Sequence, residues 1–149
     1  KKLKECEAEK AHHLEDLQRA KAEFLNTKKR LSEQIDLEKE RIINANILQL
    51  LPLCDSFDMA MMNTDIWESI DESWRTGVEA INSQLRNILQ AHNVIVLSPK
   101  GEIFDPSKHE AMSTVDSEEF DTDVVVEVIQ NGYMRNDTVI RPAKVILSK

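Results

Sequence analysis

Along the first fifty residues the apolar positions keep helical spacing but are thinly spread among charges. Residues 1–51 contain neither Gly nor Pro and are rich in Lys, Glu, Leu, Ala and Arg, the composition of a long helix. A seven-residue threading runs through Leu14, Leu17, Lys21, Phe24, Lys28, Leu31, Ile35, Glu38, Ile42 and Ala45, with the alternating steps of three and four that a two-stranded seam requires. An eleven-residue threading also fits, with Leu3, Leu14 and Leu25 on one line and Ala20, Leu31 and Ile42 on another. The first winds left-handed, the second straighter or right-handed, and the pattern is compatible with both. Lys21, Lys28 and Glu38 fall on the seven-residue seam, so pairing there is loose. Most helical stability comes from a packed face, and a helix this polar has little of one. A partner helix is therefore implied, and a second copy of the chain is its simplest source.

Apolar density rises at Ile42, Ile43, Ile47, Leu48, Leu50, Leu51 and Leu53, with Pro52 in its midst. Proline removes a helix donor and clashes one turn back, which predicts a kink or a restart. Met59, Met61 and Met62 read as adaptable core filling. Asn63-Thr64-Asp65 predicts a turn and cap, with Asp65 and Glu68 at capping-box spacing. The next segment carries the cleanest stripe in the chain, Trp67, Ile70, Trp74, Val78, Ile81, Leu85, Ile88 and His92, and predicts one helix. Two Trp give it a large apolar payload. Two helices from each of two chains make a four-helix bundle, so Trp67, Ile70, Trp74, Val78, Ile81 and Leu85 are expected at a homodimer interface. Gly77 costs roughly 1 kcal/mol against Ala inside a helix and predicts a close helix approach. His92 ends the stripe as a capping or half-buried residue.

From Val94 the period shortens. Val94-Ile95-Val96-Leu97 is a β-branched run closed by the turn Ser98-Pro99-Lys100-Gly101. His109 to Val115 and Asp123 to Ile129 predict strands on either side of the acidic turn Asp116-Ser117-Glu118-Glu119. Asn131-Gly132 is a tight-turn signal, Asn136-Asp137 marks another turn, and Val139 to Leu147 supplies the last strands around Pro142. Short strands this close together predict a small β sandwich or barrel. The fold class is thus α+β, divided as a helical stalk over 1–51, a dimerising helical bundle over 52–93 and a small all-β domain over 94–149.

Charge sharpens this division. Residues 1–46 carry eleven Lys/Arg and ten Asp/Glu, a net of +1, whereas residues 47–149 carry eight and seventeen, a net of −9. An acidic body argues against nucleic acid and anionic membrane as partners. No apolar run reaches the ~20 residues that span a bilayer, and no signal peptide is visible. The chain opens at Lys1 without Met, which leaves room for a preceding segment. Cys6 and Cys54 lie far apart and form no Cys-x-x-Cys pair, as expected of two reduced thiols in the cytosol.

Catalytic patterns are missing. His109-Glu110 lacks the second His of a zinc-protease motif, and His12 and His13 are adjacent, so their rings point apart on a helix. There is no Gly-rich phosphate loop and no Gly-x-Ser-x-Gly elbow. Neither an enzyme nor a bound cofactor or metal is expected.

The remaining signals are motifs. Gly101-Glu102-Ile103-Phe104-Asp105-Pro106 is followed by His109-Glu110-Ala111, then Gly132-Tyr133, then Arg141-Pro142-Ala143-Lys144-Val145. In the helix, Ala22-Glu23-Phe24-Leu25-Asn26 precedes the basic triplet Lys28-Lys29-Arg30, and Leu50-Leu51-Pro52 follows later. This set, over about residues 19–149, resembles the GrpE family, the nucleotide exchange factors of DnaK-type chaperones; Thr27 departs from it, standing where many relatives have an aromatic or Leu. The resemblance implies a parallel dimeric stalk, and a β domain that docks on the ATPase domain of the chaperone and holds its cleft open. Carried over residue by residue, the docking surface comprises Phe104, Asp105, Pro106, His109 and Glu110, with Ile129 nearby and Lys28 on the helix. Gly132-Tyr133 and Arg141-Pro142 are expected mainly to hold the fold. The location implied is cytoplasmic or, after removal of a targeting segment, the mitochondrial matrix. A coiled-coil scaffold with a peptide-binding β domain is the alternative.

Overall fold

The computed structural model describes residues 1–149, and backbone contacts divide them into two units, Lys1–Ile43 and Asn44–Lys149. The first unit is helix. It belongs to α1, Lys2–Met62, and every side chain from Lys1 to Ile42 is exposed. Local ion pairs such as Glu15–Arg19 at 3.6 Å and Glu38–Arg41 at 3.2 Å decorate it. Exposed pairs of this kind contribute little, so good helix formers without Gly or Pro are what favour the helix here.

In the second unit α1 acquires a buried face. Ile47, Leu51 and Cys54 fall at steps of four and three and are all buried. The helix runs through Pro52 without restarting, contrary to one reading of the sequence. Pro52 itself is exposed, so its ring and the carbonyl it leaves unpaired lie away from the packed face. Ser56 Oγ donates to the Pro52 carbonyl at 2.9 Å.

The stripe from Trp67 to His92 is divided, which corrects the expectation of one helix. α2 covers Thr64–Ser69 and α3 covers Glu72–Ala91. Asp71 is the reason: its carboxylate accepts from the Ser73 and Trp74 N–H groups at 3.0 and 3.3 Å, starting a new helix there. Asn63 caps α2 in the same way, accepting from Ile66 N–H at 3.3 Å. His92 is the C-cap of α3, and Asn93 takes the left-handed conformation just beyond it. Beyond its own helical turn, nothing in the chain comes within 4 Å of a methyl placed on Gly77, so the close helix approach expected there does not occur within the chain. Met59 and Met62 are largely exposed, so they fill no core within the chain.

Six strands form two three-stranded sheets. Sheet one orders β1 (Val94–Leu97), β4 (Gly132–Arg135) and β5 (Thr138–Arg141), all antiparallel. Sheet two orders β2 (His109–Val115), β6 (Ala143–Ser148) and β3 (Val125–Gln130), with β2 parallel and β3 antiparallel to β6. Asn136 and Asp137, both at positive φ, close the β4–β5 hairpin as a two-residue turn. Asn131-Gly132 makes no hairpin: β3 and β4 belong to different sheets, and the chain crosses between them at Asn131. Pro142 marks the return crossing from β5 to β6. The core is Val125, Ala143, Val145 and Leu147, with Leu97, Phe104 and Val128 packed against it.

Candidate functional site

The loop from Gly101 to His109 is held along its whole length. Gly101 sits at φ +82, a region that glycine enters without penalty, and donates its N–H to Val125 O at 2.8 Å. Val125 N donates to Glu102 O, and Phe104 N to Asp123 O, both at 2.9 Å. Phe104 is thereby half-buried against the core cluster, with its ring 6.0 Å from that of His109. Asp105 turns the chain. Its carboxylate accepts from Ser107 Oγ at 2.6 Å and Ser107 N at 2.9 Å, while Lys108 N and His109 N donate to its carbonyl at 3.0 and 2.8 Å. The Ser107 hydroxyl, aided by the Ser107 N–H, holds the Asp105 carboxyl below its ordinary range. His109 is buried, and its Nδ1 accepts from Asp105 N–H at 3.0 Å, which puts the ring hydrogen on Nε2.

Of the residues assigned to docking, Phe104, Asp105, Pro106, His109 and Glu110 therefore share this one loop and strand. Phe104 and His109 face inward, whereas Pro106 and Glu110 are exposed. Ile129 lies two strands away on β3 and is also exposed. Lys144 of β6 sits in register with Glu110 on one side and Gln130 on the other, so Ile129 is roughly 10 Å across the sheet from Glu110. Lys28 is exposed on α1, in the other unit.

A polar latch ties α1 to the sheets. Arg141 grips Asp55 with two parallel bonds of 2.7 and 2.6 Å and also donates to Asn131 O at 2.7 Å. Gln130 Nε2 donates to Asp55 at 2.8 Å, and Asn131 Nδ2 to Asp58 at 3.0 Å. Arg86 of α3 pairs with Asp58. Arg141 hydrogen bonding outweighs burial and holds the Asp55 carboxyl below its ordinary range. Beneath the Arg141 guanidinium, 5.2 Å away, lies the fully buried ring of Tyr133. Its hydroxyl has no hydrogen-bond partner of ordinary geometry; the Cys54 thiol is its polar neighbour, a weak one. Burial pushes both the Tyr133 hydroxyl and the Cys54 thiol up, which keeps them protonated. Arg135 adds a second tie, donating to His92 O at 3.0 Å and to Asn44 Oδ1 at 3.1 Å. Tyr133 and Arg141 thus hold the fold, as their motifs suggested. Asp55 and Asp58 were not singled out in the sequence, although their spacing of three places them on one helix face.

Within Asn44–Lys149, two apolar surfaces that face solvent bear on function. One is a groove of about 590 Å³ between the end of α1 and sheet two, lined by Met59, Met61, Met62, Met112, Val128 and Ile129 among others. The other is the outer face of α3, where Trp74 is 67% exposed and Ile81 and Ile88 are exposed too. Trp67, Val78 and Leu85 are half-buried within the chain, and Ile70 is exposed. No three His, Cys, Asp or Glu side chains come together in a way that would hold a metal ion, and no helix is long and apolar enough to cross a membrane.

Comparison with known proteins adds a family. The GrpE family model matches residues 1–149. Protein GrpE of Nitrosomonas europaea is 41% identical over 147 residues, covering 99% of this chain and 73% of that protein. Protein GrpE of Methylobacillus flagellatus is 36% identical over 148 residues, covering 99% and 78%. Protein GrpE of Francisella tularensis is 34% identical over 148 residues, covering 99% and 75%.

Proposed function

Because the chain belongs to the GrpE family, we propose that it is a homodimeric co-chaperone that binds the nucleotide-binding domain of a DnaK-type chaperone and speeds ADP release. The observation that carries this reading is the family match along the whole chain, which includes every motif of the loop and strands described above. The geometry supports it in a specific way. The loop that carries Phe104-Asp105-Pro106 is held by main-chain bonds that link Gly101, Glu102 and Phe104 to Val125 and Asp123, so a partner meets a preorganised surface. Phe104 and His109 shape that surface from within, while Pro106, Glu110 and Ile129 are free to touch. Lys28 supplies a contact from the stalk. The exposed Trp74, Ile81 and Ile88 support a second copy as the cover of α3, since a row of large apolar groups in water marks an interface. The relatives are bacterial, which supports the cytoplasm and gives no support to a mitochondrial matrix location.

Such a protein acts by differential binding. It favours an open nucleotide cleft, ADP favours a closed one, and each weakens the other by the same factor. A coupling of about 3 kcal/mol corresponds to ~150-fold. The test is release of a fluorescent ADP from a DnaK-type chaperone with and without the protein. Release should accelerate, and ADP titrated into the preformed complex should dissociate it. Glu110→Lys with Ile129→Asp should abolish the acceleration and leave the fold unchanged, as both side chains are exposed. An unchanged release rate with the native chain would favour the scaffold instead.

A further inference from the structure

Methionine is the residue type that the groove beside Ile129 concentrates. Met59 and Met62 lie one turn apart near the end of α1, Met112 lies on β2, and all three line that groove. They are 75%, 70% and 51% exposed, whereas Met61 and Met134, the only other methionines, are half-buried. Oxidation of a thioether follows its exposure to the oxidant.

We propose that Met59, Met62 and Met112 form an oxidation site for peroxide-class oxidants, and that their conversion to sulfoxides weakens docking of the chaperone on this side of the β unit. The inference rests on the docking reading above. In each step a sulfur lone pair attacks one peroxide oxygen. The S–O bond forms as the O–O bond breaks, sulfur is oxidised by two electrons, and the proton on the transferred oxygen passes to the departing hydroxide, which leaves as water. A flexible apolar side chain becomes one with a strong acceptor oxygen. The groove has few donors to meet it. The Gln130 and Asn131 amides each have one N–H committed, to Asp55 and Asp58, and those carboxylates can only accept. Lys144 is the one cationic side chain in the lining, so the three sulfoxides would share a single ammonium. A partner covering Ile129 then has to take three polar oxygens out of water where it met apolar thioethers before, and its affinity falls about tenfold or more.

The experiment uses the full chain with Cys6→Ser, which removes the exposed thiol as a competing target. Hydrogen peroxide is added and then destroyed, and peptides are mapped by mass. Met59, Met62 and Met112 should oxidise ahead of Met61 and Met134; equal rates at all five would overturn the proposal without touching the docking reading. Binding to the chaperone nucleotide-binding domain is titrated before and after treatment. A loss of about tenfold, reversed by methionine sulfoxide reductases, is expected. In Met59→Leu with Met62→Leu and Met112→Leu, the ratio of affinities after and before peroxide should stay near one. A loss that persists in this variant, or equal binding by the oxidised and native proteins, overturns the switch alone. Failure of the untreated protein to bind removes the docking reading, and the switch with it.

Discussion

Gly132 carries a turn signal beside Asn131 but serves a different purpose. A methyl group there would stand 2.5 Å from the Ala143 nitrogen and 3.0 Å from the Arg141 carbonyl oxygen. Both are backbone, so nothing flexible can give way. Gly132→Ala should therefore destabilise the β unit by about 1–3 kcal/mol, the range for an overpacked site, readable by denaturant unfolding. An unaltered midpoint would mean that the crossover relaxes freely. Phe104 makes the complementary case. An aromatic in a turn is either tucked inward or offered to a partner, and residue type cannot distinguish the two. Here it packs on Val145 and its neighbours, so Phe104→Ala should cost about 2 kcal/mol, less than a fully buried Phe. Loss of partner binding by that variant should consequently be accompanied by a lower unfolding midpoint, whereas loss on changing Glu110 or Ile129 should not. The residue types of the loop were legible in the sequence. Which of them point inward was not, because that depends on the pairing of residues 101–104 with Asp123 and Val125.

At the scale of elements, β-branched runs and the turn residues around them located five of the six strands closely, and Asn136-Asp137 was marked as a turn by its residue types. The exception was the segment after Asn131, where one residue moves the chain between sheets and no local rule distinguishes this from a hairpin. The break at Asp71 was also hidden, since the apolar stripe keeps its period across it and only the cap interrupts the backbone. Long-range polar ties were the least legible. Arg141 and Asp55 are 86 residues apart, and their partnership follows from the topology rather than from either neighbourhood. Arg141→Ala should cost about 2–3 kcal/mol, because it breaks a bidentate pair and leaves the Asp55 carboxylate short of donors. The same tie sets a dependence on acid. The Asp55 carboxyl is held below its ordinary value of 3.8, so its contribution is fully present above about pH 4 and is lost as pH falls through the lower folded value. Asp55→Asn should flatten part of the acid-unfolding limb below pH 4 and leave the neutral side level. Asp71 and Asp105 are lowered too, by Ser73 and Ser107 respectively, so part of the limb should persist.

For the molecule as a whole, the two units rest on different physics. Asn44–Lys149 has buried apolar clusters, a latch of paired charges and two sheets. Lys1–Ile43 has side chains exposed through Ile42 and short-range ion pairs. If a second copy covers α3, light scattering should give about twice 17.1 kDa, and Trp74→Ala should weaken the dimer while the chain still folds, since Trp74 makes little use of its own chain. Truncating a buried interface aromatic typically costs 2 kcal/mol or more, so dissociation should rise by about thirtyfold. A variant that stays dimeric on dilution would place the interface elsewhere. Stability should then be lost in two stages. Pairing of the helix is interrupted by Lys21, Lys28 and Glu38, and an unpaired helix with no packed face is marginal in water. Circular dichroism at 222 nm on heating should show a lower transition from this helix and a higher one from residues 44–149. Deleting residues 1–40 should remove the lower transition and leave the upper one in place. A single cooperative transition in the intact chain would mean that the first unit draws its stability from the second, and the division into two independently melting parts would fail.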